Sequence, residues 1–226
     1  SNLNCAKRCN PCYLIDMALN INGSTGISGL DGSASAPPFA GTDSNTGISF
    51  GTDTIKLSTG GVERLQITND GVSSTGHILQ VLQTVKTDVM TTSSSGFQDI
   101  TGLSVAITPR SNSNKILIHY DTQVGGNEIS FVRLVRGSTA IGVGDTPGQR
   151  IAVTQGGAFR ASNNDKVTVF SGSFLDSPST TSETTYKLQL YLISGTAAKV
   201  NAPFNDTNAG YTGRGISTIT VMEVAA

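Results

Sequence analysis

Residues 186–194 read YKLQLYLIS, a strict alternation that puts Tyr186, Leu188, Leu190 and Leu192 on one face. Period two is the geometry of a strand with one face in a core. The same alternation recurs in GLSVAIT (Leu103, Val105, Ile107), KILIHY (Ile116, Ile118, Tyr120), ISFVRLV (Ile129, Phe131, Arg133, Val135), KVTVFSGSFL and ISTITVMEV. Between these runs stand RSNSN, VGGNE, GDTPGQR, RASNND and LDSPSTTSE, clusters of turn-forming residues. Helical spacing between caps is almost absent. Short strands at regular intervals with turn chemistry between them predict an all-β, jelly-roll-like sandwich over residues 77–226, with its core from Phe97 onward.

Residues 20–76 differ. Only short apolar pieces (TGISF, DTIKLS, VERLQIT) interrupt Gly, Ser and Thr. Backbone ordering costs about 1–2 kcal/mol per residue, more than one copy of such a segment can offset by burial. The expectation is an extended, intertwined β shaft in which three chains complete one another's sheets, making the protein a homotrimer. Gly23, Gly26, Gly29 and Gly32 recur at every third position, as a collagen-like triple helix would require, but the run is short and has no proline in its triplets. GHILQVLQTVKTDV fits a helical stripe through Ile78, Val81, Leu82, Val85 and Val89, yet it is β-branched and lacks a C-cap, which favours a strand over a short trimeric helix.

Composition narrows the function. Fifteen Lys and Arg against sixteen Asp and Glu give a net charge of −1 in 226 residues, so no field draws in nucleic acid or an anionic membrane. No apolar run approaches the roughly 20 residues of a membrane span, and the first residues do not read as a signal peptide. Neither nucleic-acid binding nor membrane insertion is expected.

The three cysteines, Cys5, Cys9 and Cys12, stand in NCAKRCNPCY with the spacing C-x₃-C-x₂-C. Radical S-adenosylmethionine enzymes hold an iron–sulfur cluster with that spacing, but on a loop that follows a strand of a βα barrel. Only four residues precede Cys5, and no βα alternation follows. Zinc would need a fourth ligand, and the two histidines, His77 and His119, are far along the chain. Three alternatives stay open: interchain disulfides, a metal shared between copies, or free thiols in an arm spanning residues 1–19. Lys7 and Arg8 favour the thiolate form.

Enzymatic machinery is missing. There is no G-x-S-x-G, H-E-x-x-H or G-x-x-x-x-G-K-[ST], and GVGDTPG lacks the final spacing of a dinucleotide fingerprint and reads as a loop at Asp145–Gly148. Asp121, Glu128, Asp165 and Asp176 fall among predicted turns rather than in a recognisable pair. The chain is expected to be no enzyme and to need no cofactor. A binding site belongs in loops, and VNAPFNDTNAGYTGR is the best candidate. There Phe204 and Tyr211 can stack on sugar rings, while Asn205, Asp206, Asn208 and Arg214 can hydrogen-bond hydroxyl or acidic groups. Phe204, following Pro203, also suits a plug at the sandwich end.

Three ordered runs carry a resemblance: NINGSTGISGLDGSASAP, then GTDSNTGISFGTDTI, then GGVERLQITNDGV. With the continuation HILQVLQTVKTD and GFQDITGLSVAITPRSNSNKILI, they resemble fibre proteins of tailed phages that infect marine bacteria and cyanobacteria. AITPRSNSNKILIHY followed by FVRLVRGSTAIG more faintly resembles the trimeric jelly rolls of the C1q and tumour-necrosis-factor type. The resemblance implies a homotrimeric virion tail fibre, held to other virion proteins by its N-terminus. Assembled in the host cytoplasm, it would present its C-terminal domain on the particle to a cell-surface glycan or protein. Fibres of this kind tend to begin near the position of Met17, so residues 1–16 stand as an extension whose role the family does not supply. Two alternatives remain: a purely structural capsid or neck fibre or adaptor, and a polysaccharide-degrading spike.

Overall fold

The computed structural model describes residues 20–22, 26–28, 31–69, 71–158 and 165–226, and every regular element among them is a β-strand. The chain divides into two units, Ser1–Ser74 and Thr75–Ala226. Cys5, Cys9 and Cys12 lie outside the described residues.

In the first unit, β1 (Asn20–Asn22) pairs with β2 (Gly26–Ser28). Gly26 therefore starts a hairpin strand, not a collagen triplet; backbone pairing within the chain takes the hydrogen bonds a triple helix would share between chains. Next come β3 (Phe39–Ala40), β4 (Gly47–Gly51), β5 (Thr54–Thr59), β6 (Val62–Thr68) and β7 (Gly71–Ser73), an antiparallel meander paired in sequence order. Gly60 and Gly61, with φ of 60° and 73°, close the tight turn between β5 and β6 in the left-handed backbone that a two-residue type I′ hairpin demands.

The register of this meander gathers eight apolar side chains on one face. Phe39, Ile48, Leu57 and Leu65 form one cross-strand row, and Phe50, Ile55, Ile67 and Val72 form the next on the same face. Ser49, Lys56, Gln66 and Ser73 occupy the opposite face. Six of the eight apolar residues are 37–45% exposed, and no described residue of this unit belongs to the buried hydrophobic core.

The second unit holds that core. Its strands are β8 (Ile78–Lys86), β9 (Met90–Thr92), β10 (Gln98–Ile107), β11 (Lys115–Gly126), β12 (Ile129–Arg136), β13 (Thr139–Ile141), β14 (Gln155–Ala158), β15 (Thr168–Asp176), β16 (Thr184–Leu192), β17 (Ala198–Val200) and β18 (Ser217–Val224). One sheet runs β8-β18-β11-β17-β9 with β15 also on β11; the other runs β10-β16-β12-β13 with β14 also on β12. The chain passes between the sheets at β9–β10, β10–β11, β11–β12, β14–β15, β15–β16 and β16–β17, giving a jelly-roll-like sandwich. Between the sheets pack Leu103, Val105 and Ile107 of β10, Ile116, Ile118 and Tyr120 of β11, Tyr186, Leu188, Leu190 and Leu192 of β16, and Ile219 and Val221 of β18. The alternating runs GLSVAIT, KILIHY and YKLQLYLIS thus face inward as their pattern predicts, whereas in KVTVFSGSFL Val167 and Val169 are exposed.

Two expectations need correction. In ISFVRLV the inward residues are Ser130, Val132 and Leu134, while Phe131 and Arg133 face out. Both sets are largely apolar, so the alternation did not fix the face, and a slip of one residue inverts it. VGGNE is not a loop throughout, since Val124–Gly126 pair with β17 at the end of β11. GHILQVLQTVKTDV, by contrast, forms the favoured strand: β8 pairs along β18, with Val81 opposite Met222 and Val85 opposite Thr218.

The buried carboxylates of the sandwich are paired, whereas the buried Ser130 hydroxyl has no hydrogen-bond partner among the described residues. Glu223, fully buried, accepts from Gln80 Nε2 (2.6 Å), the Arg110 backbone N–H (2.7 Å) and Asn114 Nδ2 (2.6 Å). Asp176, read in the sequence as a turn carboxylate, closes β15. It accepts two bonds from Arg136 Nη1 at 2.9 Å and one from Tyr186 Oη at 2.7 Å. Burial and that carboxylate push the Tyr186 phenol far above its ordinary range.

Candidate functional site

The loop between β17 and β18 carries the residues expected to bind. Its root is Asn201, fully buried with φ of 64°. The Asn201 amide donates to the Lys86 and Asp88 carbonyls at 2.9 and 3.0 Å and accepts from Ser217 Oγ at 2.6 Å. The loop lies close on β11: a Cβ on Gly125 would fall 2.3 Å from the Ala202 carbonyl oxygen, so only glycine fits there. Thr212 Oγ1 donates to the Thr207 and Ala209 carbonyls and so folds the tip on itself.

On this base the candidates separate. Asp206 and Arg214 form a two-bond pair, Nε to Oδ1 at 3.1 Å and Nη2 to Oδ2 at 2.7 Å. That bonding holds the Asp206 carboxyl below its usual range and the Arg214 guanidinium above its own. The two charges satisfy each other, which leaves less for a ligand. Tyr211 is 73% exposed, Asn205 and Asn208 are exposed, and Phe204 is half-buried beyond the buried Pro203. The loop therefore offers one free ring and two amides.

A second surface, absent from the sequence reading, lies on the outer face of the β10-β16-β12 sheet. Phe131 stands directly opposite Tyr191, their rings stacked with centroids 6.2 Å apart, and Phe97 packs on Tyr191 at 5.0 Å. In the next cross-strand row Gln189 pairs with Asp99 on one side and Arg133 on the other. Gln189 Oε1 accepts from Arg133 Nε and Nη2 at 3.0 and 2.6 Å, and its amide nitrogen donates to Asp99 Oδ1 at 2.7 Å. Asp99 Oδ2 takes Lys187 Nζ at 2.7 Å, a bond that holds the Asp99 carboxyl below its usual range. The guanidinium carbon of Arg133 sits 3.6 Å from the centre of the Phe97 ring. Gly156 borders the row: a Cβ there would come within 3.0 Å of the Phe131 ring. The inverted face of β12 hid this surface, because Phe131 and Arg133 were read toward the core.

Among the described residues no group of three His, Cys, Asp or Glu side chains is placed to hold a metal. His119 is exposed, facing out from β11 in a shallow depression with Asp121, Ser171, Ser173 and Thr218.

No family model matches the chain, and no curated protein matches it. Among solved structures there is weak similarity to viral particles. A structure of infectious bursal disease virus Gx strain aligns with a TM-score of 0.34 and 14% identity over 68% of this chain and 44% of that one. The T13 particle of the same virus gives 0.36 and 13% over 76% and 45%, and its VP2 subviral particle 0.30 and 14% over 76% and 48%. The chain spans less than half the length of these proteins.

Proposed function

We propose that this chain is a homotrimeric virion fibre protein that supports or mediates attachment to a host cell, with residues 20–76 forming the intertwined shaft. The observation that carries the reading is the β3–β7 meander. Eight of its apolar side chains share one face, and six of them are exposed in the single chain. Burying such a side chain fully contributes about 1.5–3 kcal/mol, and at 37–45% exposure much of that is unrealised. Ordering the backbone of Phe39–Ser73 costs about 1–2 kcal/mol per residue, so the meander needs copies of itself to cover the face.

The sandwich supports the same reading. On the outer face of its β8-β18-β11-β15 sheet, Val81, Met222, Leu117 and Leu175 form one continuous cross-strand row. Val81 and Leu175 are exposed, as are Val85 and Val169 nearby. A trimer that uses this face and the meander would leave the β10-β16-β12 face and the loop after β17 open to a host glycan or protein. Three weak sites per trimer then gain strength through effective concentration. The order of fibre-like motifs in the sequence points the same way, with the N-terminal segment joining other virion proteins and the assembled fibre carried on the particle.

Cell-adsorption competition with the purified chain tests the attachment part. Reduced adsorption of particles carrying the protein is the expected result, whereas unchanged adsorption at saturating trimer assigns it a structural fibre role without a receptor. Release of reducing sugar from host envelope would favour the depolymerase alternative.

A further inference from the structure

The outer face of the β10-β16-β12 sheet, with the residue that precedes β10, carries three of the thirteen aromatic residues of the chain: Tyr191, Phe131 and Phe97. Phe97, Tyr191 and Phe131 are half-buried by one another yet border solvent, and the row on one side of them, Asp99, Gln189 and Arg133, is polar and charged. The charges there do not balance. Lys187 is paired with Asp99, but no carboxylate pairs with Arg133 among the described residues; it leans on the neutral Gln189 and on the Phe97 ring.

We propose that this shelf is a binding subsite for an acidic pyranose, a sugar ring bearing a carboxylate. The C–H face of the sugar lies on Tyr191 and Phe131, its carboxylate takes the remaining N–H groups of Arg133, and its hydroxyls meet Gln189, Asp99 and Lys187. The assignment follows from complementarity. Half-buried aromatic rings at the surface suit the apolar face of a sugar ring, and an adjoining polar row suits its hydroxyls. The one uncompensated cation selects a ligand with one negative charge beside the ring. A nucleic-acid strand would need several phosphate partners, which a single unpaired arginine does not supply. Burial disfavours the charged form of Arg133, so an anion arriving at the shelf restores an interaction that the folded chain leaves unmade. The inference deepens the attachment reading, on which it rests for its biological setting, but its binding step is read on the isolated protein whatever the oligomeric state.

Calorimetric titration of the full chain with trigalacturonate and, separately, with maltotriose tests the proposal. Trigalacturonate is expected to bind and maltotriose to bind at least about tenfold more weakly, the loss set by one charge-assisted contact. Arg133→Gln and Tyr191→Leu should each weaken trigalacturonate about tenfold or more, while Tyr211→Ala, on the other loop, should leave it within about twofold. Saturation-transfer NMR on the unmodified chain gives a readout that does not depend on variants folding: irradiating aromatic protons should mark the ring C–H protons of trigalacturonate. Equal affinity for the two sugars, no transfer to the sugar ring, or loss of binding only in Tyr211→Ala would overturn the assignment. A trimer that fails to bind trigalacturonate would remove the shelf and leave the fibre reading standing.

Discussion

Asn201 and Ser217 are joined across the root of the β17–β18 loop by a 2.6 Å hydrogen bond from Ser217 Oγ to Asn201 Oδ1, with both residues fully buried. The same asparagine amide spends its two N–H groups on the Lys86 and Asp88 carbonyls, so one side chain ties β8, the loop and β18 together. Asn201→Ala removes three buried bonds and places a Cβ-bearing, non-Asx residue at φ of 64°. A loss of about 2–4 kcal/mol in urea unfolding is expected. Asn201→Gly tolerates the backbone and should lose less; equal losses would show that backbone strain does not contribute.

Glu223 should resist isosteric replacement. A glutamine must turn its NH₂ toward one of three donors: the Arg110 N–H, Asn114 Nδ2 or Gln80 Nε2. Gln80 cannot flip freely to accept, because Nε2 also donates to the Thr108 carbonyl at 2.9 Å. Glu223→Gln is expected to cost about 1–3 kcal/mol, measured by the denaturation midpoint. An unchanged midpoint would mean that the 108–114 turn repacks without loss.

Acid should destabilise the fold smoothly. Bonds to Thr46, Lys86, Lys187 and Arg214 respectively hold the carboxyls of Asp43, Asp88, Asp99 and Asp206 below their usual range. A depressed folded value means that the unfolded chain binds the proton more readily. Stability is therefore fully present above the unfolded value of about 3.9 and is lost as the pH falls through the lower folded values. Asp43, Asp88 and Asp99 are largely exposed, and Asp206 bonds the exposed Arg214, so each contributes little. Melting temperature should be flat from about pH 5 to 7 and fall below about pH 4; a rise on acidification would contradict the assigned pairs.

How far the sequence revealed this architecture depended on the strand. YKLQLYLIS announced its buried face because Lys187 and Gln189 separate its apolar residues, and Tyr186, Leu188, Leu190 and Leu192 are all in the core. ISFVRLV did not, because Phe131 and Val135 compete with Val132 and Leu134 for the inward face. The aromatic shelf was illegible for a second reason. Phe97 precedes β10, Phe131 is in β12 and Tyr191 in β16, far apart in the chain; the β12–β16 register sets Phe131 opposite Tyr191, and Phe97 packs on Tyr191 only in the folded sheet. The loop candidates were found by composition alone, yet composition could not show that Asp206 and Arg214 bind each other.

Polar residues placed on the apolar face of the meander should separate the copies. Ile55→Asn with Ile67→Asn puts two amides in the row that also holds Phe50 and Val72. The variant should fall to monomer, and its thermal transition should become concentration-independent, while far-ultraviolet dichroism from the sandwich is kept. A variant that stays assembled would move the contact to the Val81–Met222–Leu117–Leu175 row.

The mass of the full chain in solution tests the central claim most directly. Native mass spectrometry or sedimentation should give three times the 23.4 kDa of one chain across the micromolar range. A species of one chain mass at those concentrations, with the meander still folded, would contradict it.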